Sequence, residues 1–152
     1  MSDDVSTDQD VLITRIFDVP RDEVFKAWTD PDEVSAWYGP AHMEVARESV
    51  RIDARVGGRW EVTMVPRSGG EGFAIGYEIL ELVEPELLVM RSDPMPGQPE
   101  GTVVRVELHD HGPKTRMTLS DGPFPAAGRG HAEAGYESAL DKLTAHLAPR
   151  VR

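Results

Sequence analysis

Few residues in this chain have the type and spacing to carry chemistry. His109 and His111 are two apart, so on a strand both side chains would leave the same face, as two metal ligands must. No third ligand follows them, and Asp110, Gly112 and Pro113 read as a solvated turn, so no metal site is expected. His42 and His131 stand alone beside loop ends; either is a candidate general base only if it faces a cavity. Ser120 and Asp121 adjoin, but without the G-x-S-x-G elbow that exposes a nucleophilic serine. Gly57-Gly58 and Gly69-Gly70 lack a phosphate-binding or dinucleotide fingerprint and read as turns. No catalytic residue and no cofactor is assigned.

A second set of residues suits binding better than reaction. Trp60, Met64, Phe73, Tyr77, Met117 and Tyr136 fall on apolar faces of the elements described below, with Trp37 and Tyr38 near an entrance. Methionine and tyrosine adapt to irregular volumes, and tyrosine adds a polar tip, so this mixture can line a cavity for an apolar small molecule. The same residues also suit an ordinary core.

These residues must be positioned by a chain that is strands first and helix last. Val11 to Phe17 is a β-rich run ending at Pro20. Pro20 opens a short helix with Asp22 and Glu23 in its first turn and Val24, Phe25, Ala27 and Trp28 on its apolar side. Asp30 caps a second short helix that starts at Pro31 and carries Val34, Trp37 and Tyr38. Strands are then expected over Val45–Ile52, from Trp60 to Met64, and over Gly72–Val83 with a bulge near Leu80. Leu87–Arg91, Thr102–Leu108 and Thr115–Leu119 complete the set, and 121–130 reads as a Gly/Pro/Ala-rich connection. From Arg129 to Leu147 the residues Ala132, Gly135, Tyr136, Ala139, Leu140, Leu143 and Leu147 recur at spacings of three and four. That helix has a small or aromatic first half and an aliphatic second half, so a facing sheet could pack close at one end and leave space at the other.

The predicted fold class is therefore α+β, with a curved antiparallel sheet of about six to seven strands over a long C-terminal helix and two short helices after the first strand. The 152 residues fit one domain, expected over 10–148 behind a polar leader over 1–9 that should be disordered. A net charge of −11 excludes the basic footprint needed to bind nucleic acid or an anionic membrane surface. There is no cysteine, hence no disulfide or thiol chemistry, and no signal-like or transmembrane segment, so the expected location is the cytoplasm. A homodimer is left open.

Taken in order, several stretches resemble one family. They are Pro20 to Trp28 with Asp30-Pro31 to Trp37, the run Arg55-Val56-Gly57-Gly58-Arg59-Trp60, Gly76-Tyr77-Glu78-Ile79 leading to Glu84-Pro85-Glu86-Leu87-Leu88, and Gly135-Tyr136 to Leu143. The chain resembles the START-like, helix-grip (SRPBCC) superfamily, and within it the group named for homology to the activator of a heat-shock-protein ATPase. The resemblance implies a sheet gripping the C-terminal helix around a cavity that in many relatives holds an apolar molecule. Relatives include transport proteins, cyclases and resistance proteins, so it implies no single ligand. Three functions follow as expectations: a binding module for an apolar or amphipathic small molecule; a cyclase-like enzyme using the same cavity with His131, His42 or Tyr77 as acid or base; and, third, regulation of a heat-shock ATPase. The last is suggested by the family name alone, since the eukaryotic activator carries an additional N-terminal domain that a nine-residue leader cannot replace.

Overall fold

The computed structural model describes residues 8–95 and 98–148. Its elements run β1 (Asp8–Phe17), α1 (Arg21–Thr29), α2 (Pro31–Trp37), β2 (Met43–Val45), β3 (Arg51–Ile52), β4 (Arg59–Pro66), β5 (Phe73–Val83), β6 (Leu87–Ser92), β7 (Val103–His111), β8 (Lys114–Pro125) and α3 (Ala126–Leu147). The eight strands form one antiparallel sheet in the order β1-β8-β7-β6-β5-β4-β2, with β3 also on β4. The sheet is curled, and α1, α2 and α3 cover its inner face.

Local chemistry explains most of these boundaries. The Asp30 side chain accepts the Asp32 N–H at 2.9 Å, and Pro31 occupies the first turn of α2, where its missing N–H costs nothing. Between β4 and the loop before it, Gly57 adopts φ +85°, and a Cβ on Gly58 would collide with the Asp53 carbonyl oxygen. The pair thus meets both demands that glycine answers, positive φ and close backbone approach. In β5 the pairing with β6 shifts between Ile79 and Glu81, the bulge expected there.

Three boundaries differ from the sequence reading. The expected strand over 45–52 is two short strands, β2 and β3, split by a 3₁₀ turn at Arg47–Ser49. Within that turn the Ser49 hydroxyl oxygen accepts the Thr63 N–H at 2.9 Å, which satisfies the β4 backbone where the ladder is interrupted. The expected connection over 121–130 is the end of β8 followed directly by α3. Gly122 and Pro123 together oppose Asp10 in a bulge with one extra residue on β8, because Val11 pairs with Asp121 while Gln9 pairs with Phe124. Finally, β1 begins at Asp8, two residues before the expected domain start; the rest of the expected leader lies outside the described residues.

The core is one cluster. Leu140, Leu143 and Leu147 of α3 are almost completely buried, as are Ile79, Leu88, Val106, Leu108, Met117 and Leu119 of the sheet. Ala132 and Tyr136, in the first half of α3, only border this cluster. Close packing therefore holds the aliphatic end of the helix, while Ala132 and Tyr136 at the small-residue end are only partly buried against it. Among the described residues no helix is long and apolar enough to cross a membrane.

Candidate functional site

A cavity of about 610 Å³ lies between the first half of α3 and the sheet. Small side chains on α3 create it: Ala132, Gly135 and Ala139 face the inner sheet residues Met64, Ile75 and Tyr77. A Cβ built on Gly135 would meet no heavy atom within 4 Å. Phe73, 52 % exposed, stands at the rim with His42 and His131, which are also exposed. Its size falls in the range of small-molecule sites.

The polar groups of the cavity are concentrated at tyrosines and one carboxylate. Tyr38 and Tyr77 bring their hydroxyls to 3.3 Å of each other. Tyr136 donates to Asp121 Oδ2 at 2.7 Å. Asp121 sits on β8 at the inward position that follows Thr115, Met117 and Leu119, and it is 4 % exposed. The Thr102 hydroxyl and the Gly122 N–H approach its carboxylate, but no hydrogen bond of ordinary geometry reaches Oδ1.

Burial governs the ionisation of this group. Desolvation pushes the Tyr38 hydroxyl up to about 12, and it holds Tyr77 and Tyr136 well above the ordinary phenol value. The charge of Asp121 adds to the rise at all three tyrosines. Asp121 itself is raised, chiefly by desolvation, and partly restored by the bond from Tyr136 and by the nearby Thr102 hydroxyl. At neutral pH the three hydroxyls all keep their protons.

Of the residues expected to line a cavity, Tyr38, Met64, Phe73, Tyr77 and Tyr136 do face this one. Trp37, Trp60 and Met117 do not; each is fully buried in the core. The two tryptophans stand behind the tyrosines in an edge-to-face series running Trp28–Trp37–Tyr38–Trp60–Tyr77, with centroid spacings from 4.8 to 5.5 Å. The Trp37 indole donates to the Ala27 carbonyl at 2.9 Å and the Trp60 indole to the Trp28 carbonyl at 2.8 Å. With their N–H groups used in this way, they fix Tyr38 and Tyr77 in place and present no polar atom to a ligand. Met117, flanked on the sheet by Leu108 and Arg15, fills the layer below.

Asp121 and Thr102 were not among the expected site residues. Asp121 had a readable signal, since the alternation Thr115, Met117, Leu119 continues to it and puts a carboxylate on a buried face. The loop over 38–43 forms the other lip, tied to α3 by the Ala41 N–H on Ser138 Oγ at 2.7 Å and by Lys142 Nζ, 3.4 to 3.5 Å from the carbonyls of Tyr38, Pro40 and Met43. His109 and His111 lie on the exposed end of β7, away from the cavity.

A curled antiparallel sheet closed by a C-terminal helix, with two short helices after the first strand, is the helix-grip fold of START-like proteins. The chain belongs to the family described as Activator of Hsp90 ATPase homolog 1-like protein, whose model matches residues 18–148. Solved structures with the same fold include protein CV1439 from Chromobacterium violaceum, at 22 % identity over 90 % of this chain and 96 % of that one, with a TM-score of 0.80. The AHSA1 protein of Silicibacter pomeroyi is 22 % identical over 93 % and 99 % of the two chains, also with a TM-score of 0.80. CalU16 of Micromonospora echinospora is 22 % identical over 94 % and 78 %, with a TM-score of 0.68. At these identities the likeness is one of fold. No curated protein matches the chain.

Proposed function

We propose that this protein is a binding module for an apolar or amphipathic small molecule, held between the sheet and the first half of α3. The observation that supports it best is Gly135. A packed helix-sheet contact would fill the space opposite a glycine, whereas here the position opens onto a cavity walled by Met64, Ile75, Tyr77 and Tyr136. Apolar walls supply affinity by burying ligand surface, and the cluster of hydroxyls would orient a polar end.

The test is a thermal-shift screen of apolar and amphipathic compounds, followed by native mass spectrometry of protein purified from its own source. A ligand at a hundred times its dissociation constant should stabilise the fold by about 2.7 kcal/mol, read as a rise of a few degrees in Tm. No shift across a broad panel, with no retained molecule, would overturn the reading.

A further inference from the structure

We propose that the Tyr38–Tyr77 pair donates one hydrogen bond into the cavity, so that the protein takes apolar ligands bearing an acceptor oxygen such as a ketone, and that either tyrosine can supply the proton. This rests on the cavity binding a small molecule at all, and it adds the chemistry of that molecule's polar group.

Tyr38 and Tyr77 both line the cavity, and both are buried, at 8 % and 5 % exposed. Each hydroxyl carries one proton at neutral pH. Their oxygens stand 3.3 Å apart, and either can be the donor of the single bond between them. Whichever donates, the proton of the other is left over. Among the described residues no other hydrogen bond of ordinary geometry reaches either oxygen. The third phenol does not compete, because Tyr136 gives its proton to Asp121 Oδ2 at 2.7 Å. Trp60 packs edge-to-face against both rings, with centroids at 5.0 and 5.4 Å, and its only polar group is an N–H already used on the Trp28 carbonyl. That side of the pair offers no oxygen to accept the proton, so its outlet is the cavity. A purely apolar ligand that excludes water from the pair would leave a buried donor unpaired, which is costly. A ligand oxygen removes that cost. The Tyr38–Tyr77 bond is also long for two hydroxyls, which ordinarily stand about 2.7 to 2.8 Å apart, so an oxygen lodged beside both can compete for the proton of either. The remaining donors on the wall are placed differently: Ser138, His42 and His131 stand at the lip within reach of water, and the Thr102 hydroxyl lies beside Asp121.

The experiment uses the full chain and two probes of one shape, 2-acetylnaphthalene and 2-isopropenylnaphthalene, which differ only in a carbonyl oxygen against a methylene group. Binding is measured by calorimetry at neutral pH, and the quantity read is the ratio of ketone affinity to hydrocarbon affinity, in which the probes' own hydration cancels between variants. Tyr38→Phe and Tyr77→Phe each delete one oxygen and leave the other phenol with an unpaired proton, so either ratio should stay within about threefold of wild type. The double variant, Tyr38→Phe with Tyr77→Phe, keeps no phenol proton at this place, and its ratio should fall at least about tenfold. A second measurement needs no variant: the infrared stretch of the bound ketone, isotope-labelled at its carbonyl carbon, should lie below its frequency in an alkane, as a hydrogen-bonded carbonyl does. An unshifted carbonyl band in wild type, a ratio unchanged in the folded double variant, or a ratio lost as fully in one single variant as in the double overturns this inference and leaves the cavity reading standing. If neither probe binds wild type, the cavity reading fails and this inference fails with it.

Discussion

Tyr136 on the C-terminal helix donates its hydroxyl to Asp121 on the last strand at 2.7 Å, so the one buried carboxylate of the cavity is held by the helix that closes it. Burial raises the Asp121 pKa above its ordinary value of 3.8. Between that value and the raised one, the folded protein holds a proton that the unfolded chain has released, so this group's contribution to stability falls as pH rises through the window. Asp121→Asn does not titrate. The Tm of the variant relative to wild type should therefore rise between about pH 4 and pH 7, as thermal melts at matched ionic strength will show. Asp10, whose charge also bears on Asp121, is present in both proteins and should be kept.

Gly135→Leu tests the cavity from the helix side. The new side chain enters open space, so the variant should fold with a Tm close to that of wild type while losing any ligand-induced shift. A fall in stability of about 1 to 3 kcal/mol would mean that the added side chain overpacks the site.

Leu140→Asp and Leu143→Asp probe the closed end of the helix. Both side chains are fully buried against the sheet, and an unpaired carboxylate there should cost about 3 kcal/mol or more in denaturant titration. A variant that unfolds like wild type would show that this face is not packed.

Trp60→Phe separates support from lining. It removes the indole donor to the Trp28 carbonyl and the edge contacts to Tyr38 and Tyr77, so a stability loss of about 2 to 4 kcal/mol is expected. Ligand affinity should fall by less than it does in Tyr136→Phe, because Trp60 holds the tyrosines without facing the cavity.

Much of the architecture is legible in the sequence because period and punctuation are local properties. The three-and-four spacing from Ala132 to Leu147 specifies the helix and its stripe. The change along that stripe from small to aliphatic residues already marks where the packing can open. Asp30 before Pro31 and the Gly57-Gly58 pair work through their own backbone, so their roles can be read without knowing the neighbours. Pairing is not local. Gly122 and Pro123 read as loop by composition, yet β1 holds that stretch in the sheet and converts the two residues into a bulge. Likewise, alternation puts Trp60 and Tyr77 on inward faces without distinguishing core from cavity wall. That distinction depends on depth: Trp28 of α1 and Tyr38, which follows α2, cover Trp60, while Gly135 of α3 leaves Tyr77 facing the cavity. The sequence by itself determined which faces turn inward. Only the tertiary structure decided which inward residues meet a partner and which meet empty space, because that depends on the sum of volumes brought together from distant parts of the chain.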